Sequence, residues 1–300
     1  MSTFPDSIAA ASLLGGQEGA VVEETRSRWE RWRSNPNLVI GGLIVGFIVL
    51  VALVSLFWTP YNPLAVDTSH VLAGPSARHW LGTDEYGRDL LSRLMASCRV
   101  AMFVGTLSVV FASVIGVPAG LLAAQRGGAA SQVVLRLADI LYGFPVLLAA
   151  VVLVAGFGAS TMIVVWSIGI AYIPVFIRVT RSNALVVLRS EYVLAARAYG
   201  RRPLAIMRRH VVPNIATIMI AQMSLLFALA ILAEAGLDFL GLGTTDPTAS
   251  WGTMLQASQN YISTDSLLII VPSLAIIVCV LGFALLGDGI GELRDARSAR

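Results

Sequence analysis

The sequence predicts an all-α membrane protein with six transmembrane helices, and three observations predict it. Of its 300 residues, 56% are hydrophobic and 13% charged, against about 45–50% apolar and about 25% charged for soluble domains. Six charge-free runs occur, at 38–58, 100–125, 141–159, 162–177, 215–233 and 267–286, each near the roughly 20 residues that cross a hydrocarbon core of about 30 Å. Counting six crossings from the N-terminus, 17 of the 21 arginines fall on the starting side. The positive-inside bias makes that side cytoplasmic and puts both termini there.

Taken in order, residues 1–34 read as a disordered cytoplasmic tail. The opening is small, polar and slightly acidic (Asp6, Glu18, Glu23, Glu24), with no basic start ahead of an apolar core and so no signal-peptide pattern. Arg26, Arg28, Arg31 and Arg33 precede the first span. In that span 15 of 21 residues are Leu, Ile, Val or Phe, worth roughly −4 to −9 kcal/mol on the insertion scale against about +3 for one central arginine.

Residues 35–99 therefore comprise the first transmembrane helix and an extracytoplasmic segment. Within that segment Thr83 or Asp84 is placed to cap a helix whose Leu90, Leu91, Leu94 and Met95 form one apolar stripe, predicting an element lying along the membrane surface. Residues 100–290 hold the other five spans, and residues 291–300 a cytoplasmic C-terminal tail. Pro118, Pro145, Pro174 and Pro272 lie in or near spans, and Gly42/Gly46 and Gly116/Gly120 are GxxxG pairs. Both features suit close helix packing or a gating role.

Residues 190–214 interrupt the apolar runs. Ser190 is placed to cap a short helix reaching Tyr199, with Glu191 at its positive end. Gly200 stops that helix, and Pro203 opens a second one through His210, which Pro213 ends. The arginines Arg197, Arg201, Arg202, Arg208 and Arg209 ride on an apolar frame of Val193, Leu194, Leu204, Met207 and Val211.

The run Leu194-Ala195-Ala196, then Gly200, then His210-Val211-Val212-Pro213 resembles the EAA loop of ABC importer permeases, with Leu194 where the family usually has glutamate. The string Leu81-Gly82-Thr83-Asp84-Glu85-Tyr86-Gly87-Arg88-Asp89-Leu90-Leu91-Ser92-Arg93-Leu94 closely resembles the LGTDxxGRDxLSRL signature of the C-type permease subunit of dipeptide, oligopeptide and nickel importers. Ser97-Cys98-Arg99-Val100, which follows, keeps only the arginine of the usual sequence. The stretch Glu234–Gly243, continuing through Asp246 to Gly252, resembles a second string of the same subunits, with Gly236 for alanine and Asp238 for serine.

This resemblance covers nearly the whole chain after the tail. It implies a type I ABC importer permease (MetI-like) fold in a bacterial cytoplasmic membrane. The implied cargo is short peptides, with nickel chelates, glutathione or haem as alternatives. The implied partners are a homologous second permease, two ATP-binding subunits (homo- or heterodimer) and an extracytoplasmic substrate-binding protein, with no nucleic acid. Glu191, Leu194, Ala195, Ala196, Arg197, Gly200, Arg201, Arg202, His210 and Pro213 would then form the ATPase-coupling loop. Gly82, Thr83, Asp84, Gly87, Arg88 and Asp89 would form the extracytoplasmic family motif.

The residues themselves exclude several chemistries. The chain contains no lysine, which rules out a Walker A site and Schiff-base catalysis. ATP and Mg²⁺ are thus expected on partner subunits, with no cofactor, metal or catalytic residue on this chain. Cys98, near a loop, and Cys279, in an apolar run, show no metal spacing and read as packing residues. His70, His79 and His210 fall in predicted loops, leaving an intramembrane serine hydrolase without a base.

An ion-driven secondary transporter is the competing class, and the spans offer it no buried carboxylate pair, Glu234 apart. Glu234, near the end of the fifth span, is read either as functional or as already at the interface. With Asp238 it is a candidate for the path or a gate. Asp139 is expected to pair with Arg136 at i−3.

Overall fold

The computed structural model describes residues 35–245 and 247–298, with side chains through residue 293. The tail 1–34, Asp246 and residues 299–300 lie outside the described residues. The helices are α1 (Pro36–Phe57), α2 (Leu90–Arg126), α3 (Gly128–Tyr142), α4 (Val146–Phe157), α5 (Thr161–Leu188), α6 (Glu191–Ala198), α7 (Pro203–Ile206), α8 (Val212–Phe239), α9 (Trp251–Ser258) and α10 (Leu267–Ser298). A π-turn, Met207–Val211, joins α7 to α8. The only pairing of extended backbone among the described residues is one Thr83–Asp89 bridge.

Helix starts follow local side chains. Asn35 Oδ1 accepts the Leu38 N–H at 3.2 Å with Pro36 behind it, Ser160 Oγ accepts the Ile163 N–H at 3.3 Å, and Ser250 forms a capping box with Thr253. Each satisfies a backbone donor that the first helical turn leaves free. The second span starts ten residues earlier than its charge-free run, because Asp89, not Thr83 or Asp84, is the cap: its Oδ2 accepts the Ser92 N–H at 2.8 Å.

The Leu90–Leu94 stripe is consequently the first turns of α2, and the expectation of a separate surface helix is corrected. Its polar residues find partners inside the protein. Ser97 Oγ donates to the Arg93 carbonyl, Arg93 lies 3.3 Å from Asp84, and Trp251 Nε1 donates to the Leu94 carbonyl at 3.3 Å. Nothing breaks the helix at Arg99, so Cys98 is buried well inside it, and a boundary at 99/100 cuts through α2. A boundary at 290/291 likewise falls within α10.

Among the described residues five helices are long and apolar enough to cross a membrane. The third predicted span, 141–159, is not one straight helix: α3 and α4 meet at a 79° bend and count as a span only as a pair. Pro145 has no N–H to continue the helix and disfavours helical geometry at Phe144. Alone, the 12 residues of α4 reach about 18 Å at about 1.5 Å per residue, so only α3 and α4 together are long enough to cross.

The most extensive packing joins α2 to α5, then α10 to α8 and to α1. Gly116 and Gly120 make the first contact possible: a Cβ at Gly120 would stand 2.7 Å from the Ile177 carbonyl oxygen. Gly42 and Gly46 face open space instead, so only one of the two GxxxG pairs packs helices within this chain. At one end Asn35 and Asn37 hold Glu292 of α10 at 2.8 and 2.9 Å. Asp139 pairs with Arg178 of α5 at 2.6 Å rather than with Arg136, and Arg178 also lies over the Tyr142 ring at 4.4 Å.

Candidate functional site

The loop between α5 and α8 is a helix, a turn and a helix whose two sides differ sharply. Val193, Ile206, Met207 and Val211 are buried with Ala184, Val187 and Leu188 of α5 and Ile215 and Met219 of α8. Their burial ties the loop to the ends of both long helices. Opposite them, Tyr199 is 88% exposed, Leu204 74% and Leu194 50%. The expected apolar frame is thus corrected: Leu194 and Leu204 point outward because they occupy the face away from α5, and Ile206 takes the inner position.

Glu191, Ala195, Arg197, Arg201, Arg202 and Pro213 are exposed, and Ala196 and His210 half-buried. Gly200 turns the chain at φ +72°, a conformation glycine adopts without steric cost. Ser190 does not cap α6 with its side chain; its hydroxyl donates to the Val187 carbonyl at 2.6 Å, which also accepts the Ser190 N–H at 3.1 Å. Pro213 does not end the second helix. It sits in the first turn of α8, where a missing N–H is tolerated. The π-turn before it bonds Val212 N–H to the Met207 carbonyl, so the chain runs on as one apolar helical stretch over Pro203–Phe239. At the loop's other edge Asn214 donates to the Tyr192 hydroxyl at 3.2 Å and to the His210 carbonyl at 2.6 Å.

The Gly82–Asp89 residues tie the 59–89 segment into a closed knot. Asp84 Oδ1 accepts the backbone N–H of Tyr86 and of Arg88, each at 2.9 Å, and its Oδ2 accepts Arg88 Nε at 2.6 Å. Thr83 Oγ1 accepts the Ala73 N–H at 2.9 Å and donates to the His70 carbonyl. Gly87 has φ +73° and lies against the Asp67 carbonyl, so no side chain fits there. Asp89, besides capping α2, holds His79 Nδ1 at 2.9 Å.

Beside the knot, burial raises Glu85 above the ordinary carboxylate range, because the charged form loses hydration there. At the surface, hydrogen bonds from Ser69 and then His70 lower Asp67 to about 2. A polar cleft of about 400 Å³ opens between the knot and α9, lined by Tyr86, Arg88, Thr244, Gln256, Asn260 and Tyr261 among others.

Glu234 and Asp238 share the last turns of α8, both buried at 0% exposure. Asp238, which lies beyond the charge-free run 215–233, is inside the helix because α8 continues to Phe239. Its Oδ1 accepts the Thr244 N–H at 2.8 Å, a contact between loop backbone and helix side chain that leaves no periodic signal. The spans thus contain a buried carboxylate pair that the apolar pattern did not show.

Residues 116–300, more than half of the chain, match the family described as the binding-protein-dependent transport system inner membrane component. The chain belongs to that family. Residues 25–75 of this permease component match the N-terminal TM domain of oligopeptide transport permease C. The permease is 38% identical to the di/tripeptide transport system permease protein DppC of Pseudomonas aeruginosa, over 90% of this chain and 91% of that one. It is 33% identical to the dipeptide transport system permease protein DppC of Alkalihalophilus pseudofirmus, over 92% and 91%. It is 34% identical to the glutathione transport system permease protein GsiD of Pectobacterium atrosepticum, over 91% of each. In fold, 69% of the permease superimposes on 96% of a chain of the MetNI methionine ABC transporter in inward facing conformations, at a TM-score of 0.57 and 17% identity.

Proposed function

We propose that this permease is a non-catalytic subunit of an ATP-driven importer that carries short peptides across a bacterial cytoplasmic membrane. Its termini and its 190–214 loop would lie in the cytoplasm and the 59–89 knot outside. The observation that carries the coupling half of this reading is the two-sided loop. Apolar side chains anchored on α5 and α8 leave Tyr199, Leu204 and the arginine set free to seat in a partner. Aromatic and arginine side chains are the residue types that dominate docking energies.

Two ATP-binding subunits, holding ATP and Mg²⁺, would dock on this loop and on its counterpart in a homologous second permease. When they close, the anchored loop would move with the ends of α5 and α8, and a continuous helix from Pro203 to Phe239 transmits that displacement through the membrane. Gly82, Thr83, Asp84, Gly87, Arg88 and Asp89 would stiffen the outer surface that faces a substrate-binding protein. Peptide cargo is supported by the dipeptide and di/tripeptide permeases among the relatives. Glutathione, itself a short peptide, is the second reading, supported by the glutathione permease relative.

The test is purification of the tagged permease in mild detergent, then reconstitution with its co-eluting chains and a binding protein. ATP-dependent uptake of a labelled dipeptide, lost on deletion of residues 195–201, supports the reading. Uptake by the permease alone, driven by an ion gradient without ATP, refutes it, and preference for glutathione over dipeptides selects the second cargo.

A further inference from the structure

The acidic pair at the end of α8 is the least compensated group among the described residues. Glu234 and Asp238 stand one helical turn apart, both fully enclosed. Neither Glu234 oxygen has a hydrogen-bond partner, and neither does Asp238 Oδ2, whereas Asp238 Oδ1 is taken by the Thr244 N–H. Four residues apart on one helix, the two carboxyl side chains project from the same face. No ion pair to either occurs among the described residues.

The neighbours of Asp238 are apolar or neutral: Gly243 and Gly252, the Thr244 N–H, and Val164 of α5 beside Gly243. Two bare carboxylates one helical turn apart would repel where burial denies them hydration. A carboxylate has only acceptors, so a hydrogen bond between the two can form only when one of them carries a hydrogen. The surroundings leave little room for a larger cation: a Cβ at Gly252 would lie 2.6 Å from Asp238 Cβ, and one at Gly243 would strike Asp238 Oδ1.

We propose that Glu234 and Asp238 form a proton-binding site in which one proton bridges the Glu234 carboxyl and Asp238 Oδ2. Glu234 donates, Asp238 accepts, and the Thr244 N–H on the opposite Asp238 oxygen holds the acceptor in place. The bridged pair fixes the last turn of α8 to the returning 241–244 segment, so the far end of the long helix is fastened by a proton. The site stands on its own geometry and does not depend on which cargo the permease carries.

The test compares the assembled wild-type transporter with Glu234→Gln and Glu234→Ala at neutral pH, by infrared difference spectroscopy and thermal unfolding. The site is supported if wild type shows a protonated-carboxyl band that is lost in Glu234→Gln. Glutamine, which donates its own N–H to Asp238, should then unfold within about 2 °C of wild type, while alanine falls by about 5 °C or more. Absence of the band from wild type, or its persistence in Glu234→Gln, overturns the proposal. So does a stoichiometric metal ion in the purified wild type together with loss of stability in Glu234→Gln, since a cation site needs the second negative charge.

Discussion

Leu204 and Ile206 stand two residues apart on one short helix and should fail in opposite ways when cut to alanine. Leu204 is 74% exposed and Ile206 2%. Truncating Ile206 removes a side chain from the cluster that anchors the loop to α5 and α8, a loss of about 2–5 kcal/mol for a buried aliphatic residue. Truncating Leu204 empties no cavity and should shift stability by less than about 0.5 kcal/mol. At a docking surface, however, truncating a side chain that acts as a hot spot costs about 2 kcal/mol or more, which is roughly 25-fold in Kd.

The assay measures binding of the purified ATP-binding subunits to the permease in nanodiscs, alongside thermal unfolding of the permease alone. Leu204→Ala should weaken binding by roughly 25-fold or more with an unchanged melting curve, and Ile206→Ala should lower the melting temperature. Equal loss of stability in the two variants, or wild-type binding by Leu204→Ala, would refute the two-sided reading of the loop.

Other perturbations test the remaining contacts. Gly120→Ala places a methyl group 2.7 Å from the Ile177 carbonyl and should cost about 1–3 kcal/mol by overpacking, whereas Gly42→Ala, in open space, should not; thermal unfolding in detergent separates them. Asp84→Ala strips Arg88 of its 2.6 Å partner inside the knot and should cost about 3–5 kcal/mol, seen as faster proteolysis between residues 59 and 89. Asp67 is lowered from 3.8 to about 2 in the folded state, so the unfolded chain takes up its proton first as pH falls. Its stabilising contribution is therefore complete above pH 3.8 and disappears as pH drops toward about 2. The stability gap between wild type and Asp67→Asn should close over that interval in acid titrations followed by near-ultraviolet circular dichroism.

By itself the sequence determined that the chain is helical and membrane-embedded, where five of its long helices run, and that residues 190–214 stand apart from them. Those properties follow from local quantities: the length of charge-free runs, the glycine at position 200, and the alternation of arginine-rich and arginine-poor connections. The family strings were equally legible, being contiguous in sequence.

Only the tertiary structure decided which polar residues meet. Asp139 finds Arg178 rather than Arg136 because α3 packs on α5. Asp89 caps α2 because Asp84 is already engaged by backbone and arginine donors. Leu194 and Leu204 turn outward because α5 covers only one side of the loop. Most of all, the burial of Glu234 beside Asp238 depends on the returning chain at Gly243 and Gly252 closing over the end of α8. Apolar periodicity reports how far a helix continues, but the partners of a buried charge are set by segments distant in sequence, and no local pattern encodes them.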